Sequence, residues 1–240
     1  MEFYSNISEM YDQLFPFNEK QLLFVEKAVS GKLAQKSILD MGCGTGSLAI
    51  AMARRSAKVR AFDFDEKMIA KAEEKRPQAL DLQFRKGDLR TFLDDYPSML
   101  FDSILCLGNT MVHLDEQADV LKLFWNVKNK LKPGGKFIFQ IVNYDRVLSQ
   151  NVDHLPMIES GDLSFKRDYI HRRDGKITFN TTLSFKGNTI TENQVELLPL
   201  LKSWLEKPLK DLFSRVEFYG GFDRSEWNEE TFHLVVEATL

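Results

Sequence analysis

Between Ser37 and Leu48 the chain reads Ser-Ile-Leu-Asp-Met-Gly-Cys-Gly-Thr-Gly-Ser-Leu, with glycines at 42, 44 and 46. Ile38 and Leu39 end a buried strand, Asp40 marks its carboxyl edge, and Leu48, Ile50, Ala51 and Ala53 supply the apolar stripe of a helix. A strand that turns through alternating glycines into a helix is a ligand-binding turn. Its backbone must bend sharply and let a ligand approach without a Cβ in the way. The helix start offers unpaired N–H groups to a negative group.

The elements that follow repeat the pattern. Lys58 to Phe62 forms a second strand ending at Asp63, about 20 residues past the turn, where a carboxylate can accept from both hydroxyls of a ribose. Asp65 and Glu66 open the next helix as caps. Leu80 to Phe84 alternates as a third strand, with Gly87 and Asp88 at its end, and Phe101 to Leu107 is a fourth, an apolar run of the kind buried on both faces. Gly108 and Asn109 follow, then a helix that Asp115 caps, with Ala118, Leu121, Phe124, Trp125 and Leu131 facing inward. Lys136 to Val142 is the fifth strand. Strict alternation of strand and helix implies a parallel sheet, whose ligands collect at the carboxyl ends of the strands. Asp40, Gly42, Asp63, Asp88 and Gly108 all fall on that rim.

Residues 1 to 35 precede this core as two amphipathic helices broken near Phe15-Pro16, a cap from which Tyr4 and Tyr11 could close over a ligand. Beyond 145 the period changes to two. Leu163 to His171, Ile177 to Phe185 and Ile190 to Glu196 predict an antiparallel insertion over 146–198, with turns at Asp174-Gly175 and Gly187-Asn188. The core resumes over 199–240: Ser203 and Glu206 read as a capping box before a helix, followed by strands at Val216–Tyr219 and Phe232–Ala238.

With 240 residues and 43% of them hydrophobic, the chain can bury a sizeable core. A net charge of -3 and no long run of like charges argue against a broad nucleic-acid surface. No apolar stretch is long enough for a spanning helix and no leader is visible, so the expectation is a cytoplasmic protein with no membrane partner. The two cysteines, Cys43 and Cys106, make neither a disulfide framework nor a metal motif, and no metal is expected.

Leu39-Asp-Met-Gly-Cys-Gly-Thr-Gly, Asp63, Gly87-Asp-Leu, Phe101 to Leu107 and Leu131-Lys-Pro-Gly-Gly together resemble the motif series of class I S-adenosylmethionine-dependent methyltransferases. The likeness runs from Ser37 to Leu240. It implies a Rossmann-like, seven-stranded, mostly parallel sheet with helices on both faces and an antiparallel last strand, plus the small antiparallel insertion after the fifth strand. It also implies S-adenosylmethionine as cofactor and S-adenosylhomocysteine as product. Carried over by position, Tyr11, Asp40, Gly42, Cys43, Gly44 and Gly46 would surround the methionine portion and the adenosine. Asp63 would hold the ribose. Asp88 would hold the adenine amino group, Phe64, Met68, Gly87 and Leu89 would also contact the cofactor, and Leu107, Gly108 and Asn109 would border the sulfonium. The aromatic amino-terminal segment and the insertion are similar to small-molecule enzymes of the glycine and sarcosine N-methyltransferase type. The Asn-Pro-Pro-Tyr type of motif is absent, which lowers the standing of an RNA or protein substrate.

The expected reaction is methyl transfer to an N or O atom of a small molecule, which needs alignment and exclusion of water more than a strong acid. If a proton must leave the acceptor, His113 is the best placed base, although a histidine there can equally be a packing residue. Tyr4, Tyr144, Tyr169 and His171 are the candidate substrate contacts. Cys43 has no activating neighbour in sequence and reads as packing. Two other functions stay open: a nicotinamide-dependent oxidoreductase, against which Ser47 stands where its third glycine belongs, and a non-catalytic cofactor-binding or scaffold protein of the same fold.

Overall fold

A computed structural model of the protein describes residues 7–240. The strands are β1 (Ser37–Met41), β2 (Lys58–Asp63), β3 (Leu82–Lys86), β4 (Phe101–Cys106), β5 (Leu131–Val142), β6 (His154–Ser160), β7 (Leu163–His171), β8 (Ile177–Phe185), β9 (Asn188–Leu197), β10 (Arg215–Tyr219) and β11 (His233–Thr239). The helices are α1 (Tyr11–Leu14), α2 (Glu19–Ala28), α3 (Ser47–Arg54), α4 (Glu66–Lys75), α5 (Phe92–Asp95), α6 (Gln117–Lys130), α7 (Tyr144–Ser149) and α8 (Lys202–Leu212).

The main sheet has seven strands in the order β10-β11-β5-β4-β1-β2-β3. Its parallel pairs are β1 with β2 and β4, β2 with β3, and β4 with β5, while β11 runs against both β5 and β10. Alternate side chains feed two cores, as the pleat requires. Ile38, Leu105, Ile138 and Val235 pack under α2 and α3. Leu39, Ile104, Phe137, Phe139 and Val236 pack on the opposite side with α6 and α8.

A second, antiparallel sheet runs β6-β7-β8-β9. Its inward residues Leu163, Phe165, Tyr169, Ile177, Phe179, Leu183 and Leu197 are buried in the same core as α6, with Ile7 and Leu14 of the amino-terminal segment. The Phe15 ring meets Phe165 edge-on at 5.9 Å, so α1 is held between the two sheets. No helix among the described residues is long and apolar enough to cross a membrane.

Several local expectations are corrected. The strand β3 begins at Leu82, since Pro77 to Leu80 is spent on a turn closed by the Leu80 N–H on the Pro77 carbonyl. Asp115 does not cap α6; Glu116 occupies that position, and Asp115 pairs with Arg90 at 2.7 Å. The inward face of α6 is Val120, Leu123, Phe124 and Val127, whereas Ala118 is exposed, Leu121 is 43% exposed and Trp125 55%. The cap of α8 is not Ser203 either: the Lys202 N–H donates to Asp145 Oδ2 at 2.9 Å, and Pro208 lies inside the helix. A fourth strand, β6, completes the small sheet and was not anticipated.

Candidate functional site

The β1–α3 turn takes the geometry its glycines permit. Gly42, Gly44 and Gly46 have φ of 73°, 55° and 77°, in the left-handed region that costs other residues strain. Space is as restrictive as torsion. A Cβ on Gly42 would lie 2.4 Å from Thr110 Cγ2, and one on Gly44 would press on the Tyr11 ring at 3.3 Å. The Asp63 carboxylate at the end of β2 fixes the turn: Oδ2 accepts from the Gly44 N–H at 2.8 Å and Oδ1 from the Asp65 N–H at 2.9 Å. Asp65 in turn caps α4 by accepting from the Lys67 and Met68 N–H groups.

Along the rim of the sheet an open cleft lies between these elements, and Tyr11, Gly42, Gly44, Asp63, Phe64, Met68, Gly87, Asp88, Leu89, Leu107, Gly108 and His113 line it. The Asp88 Oδ1 accepts from both the N–H and the Nε of Arg90, at 2.9 and 3.1 Å. Among the described residues its other oxygen makes no such bond. Phe64 is 46% exposed, an apolar ring left at the mouth of a cleft.

The remaining expected residues lie elsewhere. Asp40 and Gly46 are behind the wall, and the half-buried Cys43 is not among the lining residues: Asp40 is 3% exposed, and Gly46 is packed so closely on Phe84 that a Cβ would approach it within 2.4 Å. Burial, with the nearby Asp63 charge, pushes the Asp40 carboxyl up to about 7. Burial also raises the Cys43 thiol far above its usual range, so it is not a thiolate nucleophile. Asn109 turns its side chain away from the cleft, accepting from the Val142 N–H at 2.9 Å and donating to the Tyr144 hydroxyl at 3.1 Å. Tyr144 is fully buried, and the Tyr169 hydroxyl lies beside its own. The His171 Nε2 is engaged with the Val152 carbonyl at 2.8 Å. Tyr4 lies outside the described residues. His113 faces the cleft, and burial pushes its pKa down to about 4, so its imidazole is neutral at neutral pH.

Some contributors were not foreseen. Gln140, a lone polar residue in the apolar run of β5, accepts from the Gly108 N–H at 3.0 Å and so shapes the rim. Asp12 of α1 accepts from Thr45 Oγ1 at 2.5 Å and from Lys75 Nζ at 2.5 Å, tying α1 to the glycine turn and to α4. Only the oddness of a polar residue in a buried strand signals Gln140; nothing local signals Asp12.

Residues 38–135 match the family described as methyltransferase domain. Among curated proteins, a ubiquinone biosynthesis O-methyltransferase of Pseudomonas entomophila (strain L48) is 29% identical over 134 residues, 55% of this chain and 55% of that protein. The match therefore spans about half the length of that relative. A glycine/sarcosine/dimethylglycine N-methyltransferase of Actinopolyspora halophila is 26% identical over 81% of this chain and 34% of its own. A solved S-adenosylmethionine-dependent methyltransferase from Clostridium acetobutylicum ATCC 824 superposes with a TM-score of 0.80 at 22% identity, over 99% of both chains. The sequence match to the methyltransferase-domain family thus falls on the glycine turn and the rim, and the likeness in fold to that solved enzyme extends over nearly the whole length.

Proposed function

We propose that the protein binds S-adenosylmethionine in the rim cleft and transfers its methyl group to an N or O atom of a small molecule held beneath the antiparallel sheet. The observation that carries this reading is the convergence of Asp63, Asp88 and the glycine turn on one cleft roofed by Tyr11. The residues fit the group. Asp63 is oriented by two backbone N–H donors and retains lone pairs for ribose hydroxyls. The second oxygen of Asp88 can accept from an adenine amino group, with Phe64, Met68 and Leu89 as the apolar surround.

When bound, S-adenosylmethionine supplies an electrophilic methyl group on a sulfonium. The contribution of the chain is to hold the acceptor in line and to exclude water. His113, with so low a pKa, suits accepting a hydrogen bond that orients the acceptor rather than removing a proton from an ammonium ion. Tyr144 acts through Asn109 on the rim rather than touching the acceptor. A small-molecule acceptor is supported by the insertion that covers this side and by the small molecules in the names of both curated relatives.

Calorimetric titration with S-adenosylhomocysteine is the direct test. Saturable binding is expected, and none at near-millimolar ligand would overturn the reading. Asp63→Ala should weaken binding by about 1–3 kcal/mol, the scale of lost hydrogen bonds to a charged group. Since Asp63 also pins Gly44 and Asp65, the variant should melt earlier as well.

A further inference from the structure

The cleft wall at the end of β4 turns through two consecutive residues of left-handed backbone, Gly108 at φ 74° and Asn109 at φ 64°. For Asn109 that conformation carries strain, so the corner needs bonds to hold it. Strand β5 supplies them. The Gln140 carbonyl accepts from the Asn109 N–H at 3.1 Å, Gln140 Oε1 accepts from the Gly108 N–H at 3.0 Å, and the Val142 N–H donates to Asn109 Oδ1 at 2.9 Å. Gly108 lines the cleft, and a Cβ placed on it would meet nothing within 4 Å, so its outer side is open to a ligand.

The buried Gln140 side chain has a second partner: its Nε2 lies 3.1 Å from Nδ1 of His233, the first residue of β11. These two contacts decide which way the amide points. A backbone N–H only donates, so the amide turns its oxygen to Gly108 and its NH2 to His233. His233 Nδ1 is then an acceptor, and the ring is neutral with its proton on Nε2. A protonated ring would donate from both nitrogens and meet the NH2 as a second donor. Turning the amide round would only set the NH2 against the Gly108 N–H, so either way one bond is lost.

The surroundings of His233 favour the neutral ring. The half-buried imidazole meets the Phe232 ring at 4.7 Å and the Phe222 ring at 6.4 Å. Arg146 of α7, whose guanidinium stands over Phe232 at 5.2 Å, is the charged group facing it, and Gln140 is the polar group facing it from β5. Burial first, and then the Arg146 charge, lower its pKa below the ordinary 6.5.

Resting on the methyltransferase reading above, we infer that Gln140 and His233 are positioning residues for the cofactor cleft: neutral His233 holds the Gln140 amide in the one orientation that fastens the Gly108–Asn109 corner, and protonation of His233 releases it. Cofactor affinity is thereby coupled to a ring that is not among the residues lining the cleft.

The test is calorimetric titration of S-adenosylhomocysteine into the full chain on either side of the His233 titration, which the NMR signals of its ring follow. Wild-type affinity should fall about fivefold as His233 protonates, the equivalent of one neutral hydrogen bond. H233N sets an oxygen where Nδ1 stands and does not titrate, so it should stay close to wild type at neutral pH and lose the acidic step. Q140L should bind about fivefold more weakly than wild type at neutral pH, also without the step. Asp40 and His113 titrate in all three proteins, so the difference between profiles reads His233. One pH profile shared by all three, flat or falling, overturns the inference, and so does wild-type affinity in Q140L at neutral pH. Failure of S-adenosylhomocysteine to bind the wild type overturns the methyltransferase reading instead. Even then the Gly108 amide signal of the unloaded wild type should shift together with the His233 ring, and a Gly108 signal that ignores the ring overturns the positioning role.

Discussion

Replacing Asp40 by asparagine isolates the charge that the glycine turn keeps inside. Its carboxyl is raised in the fold to about 7, from 3.8 when exposed. The folded state therefore favours the protonated form, and its stability declines as pH climbs from the unfolded value through the folded one. Asp40→Asn should stabilise the protein more at about pH 8 than at about pH 5, by roughly 2 kcal/mol in the difference, as read by urea denaturation at the two pH values. An equal effect at both would mean that Asp40 is not protonated in the fold. His113 works the other way: held neutral down to about 4, it loses stability for the protein as pH falls below the ordinary imidazole value of 6.5. The turn glycines and Asp63, Asp88 and Asp65 were all legible in the sequence because each sits at the end of its own strand or the start of its own helix. Asp12 and Gln140 were not, because their partners lie on elements far away in the chain.

At the scale of elements, capping shows the same division. The cap of α4 by Asp65 is local and was expected, while α8 borrows the Asp145 carboxylate of α7, 57 residues away. Asp145→Ala should cost about 1 kcal/mol of stability, measured by thermal or urea unfolding, and leave cofactor affinity unchanged. No loss would show that water serves the Lys202 N–H equally well. For α6, two apolar stripes compete in the sequence, one through Leu121 and Trp125 and one through Val120, Phe124 and Val127. The Phe124 ring packs at 6.0 and 5.9 Å on Phe137 and Phe139 of β5 and decides between them, a choice that belongs to the sheet rather than to the helix. The exposed Trp125 keeps the Lys128 ammonium 5.8 Å from its ring centre. The strand β6 escaped notice because its inward residues fall out of step: the pairing with β7 shifts between Leu155 and Ile158, which breaks the period of two.

For the molecule as a whole, the amino-terminal segment links the two sheets. The helix α1 is anchored on one side through Asp12 to Thr45 and Lys75, and on the other through Phe15 to Phe165. A ligand under Tyr11 should hold this span closed, so S-adenosylhomocysteine should slow amide exchange in residues 10–15 and 42–47 more than in α2. Hydrogen-exchange mass spectrometry with and without the ligand measures this, and uniform protection would separate α1 from the cleft. The reversed strand β11 has a consequence for handling the protein. It starts at His233 beside Val142 on the cleft side and finishes at Thr239 beside Lys136, where the Leu240 N–H meets the Gly135 carbonyl at 3.0 Å. A tag or tether joined after Leu240 would thus leave from the pole opposite the cleft, and protein anchored to a sensor surface by that end would turn the cleft towards the flowing solution.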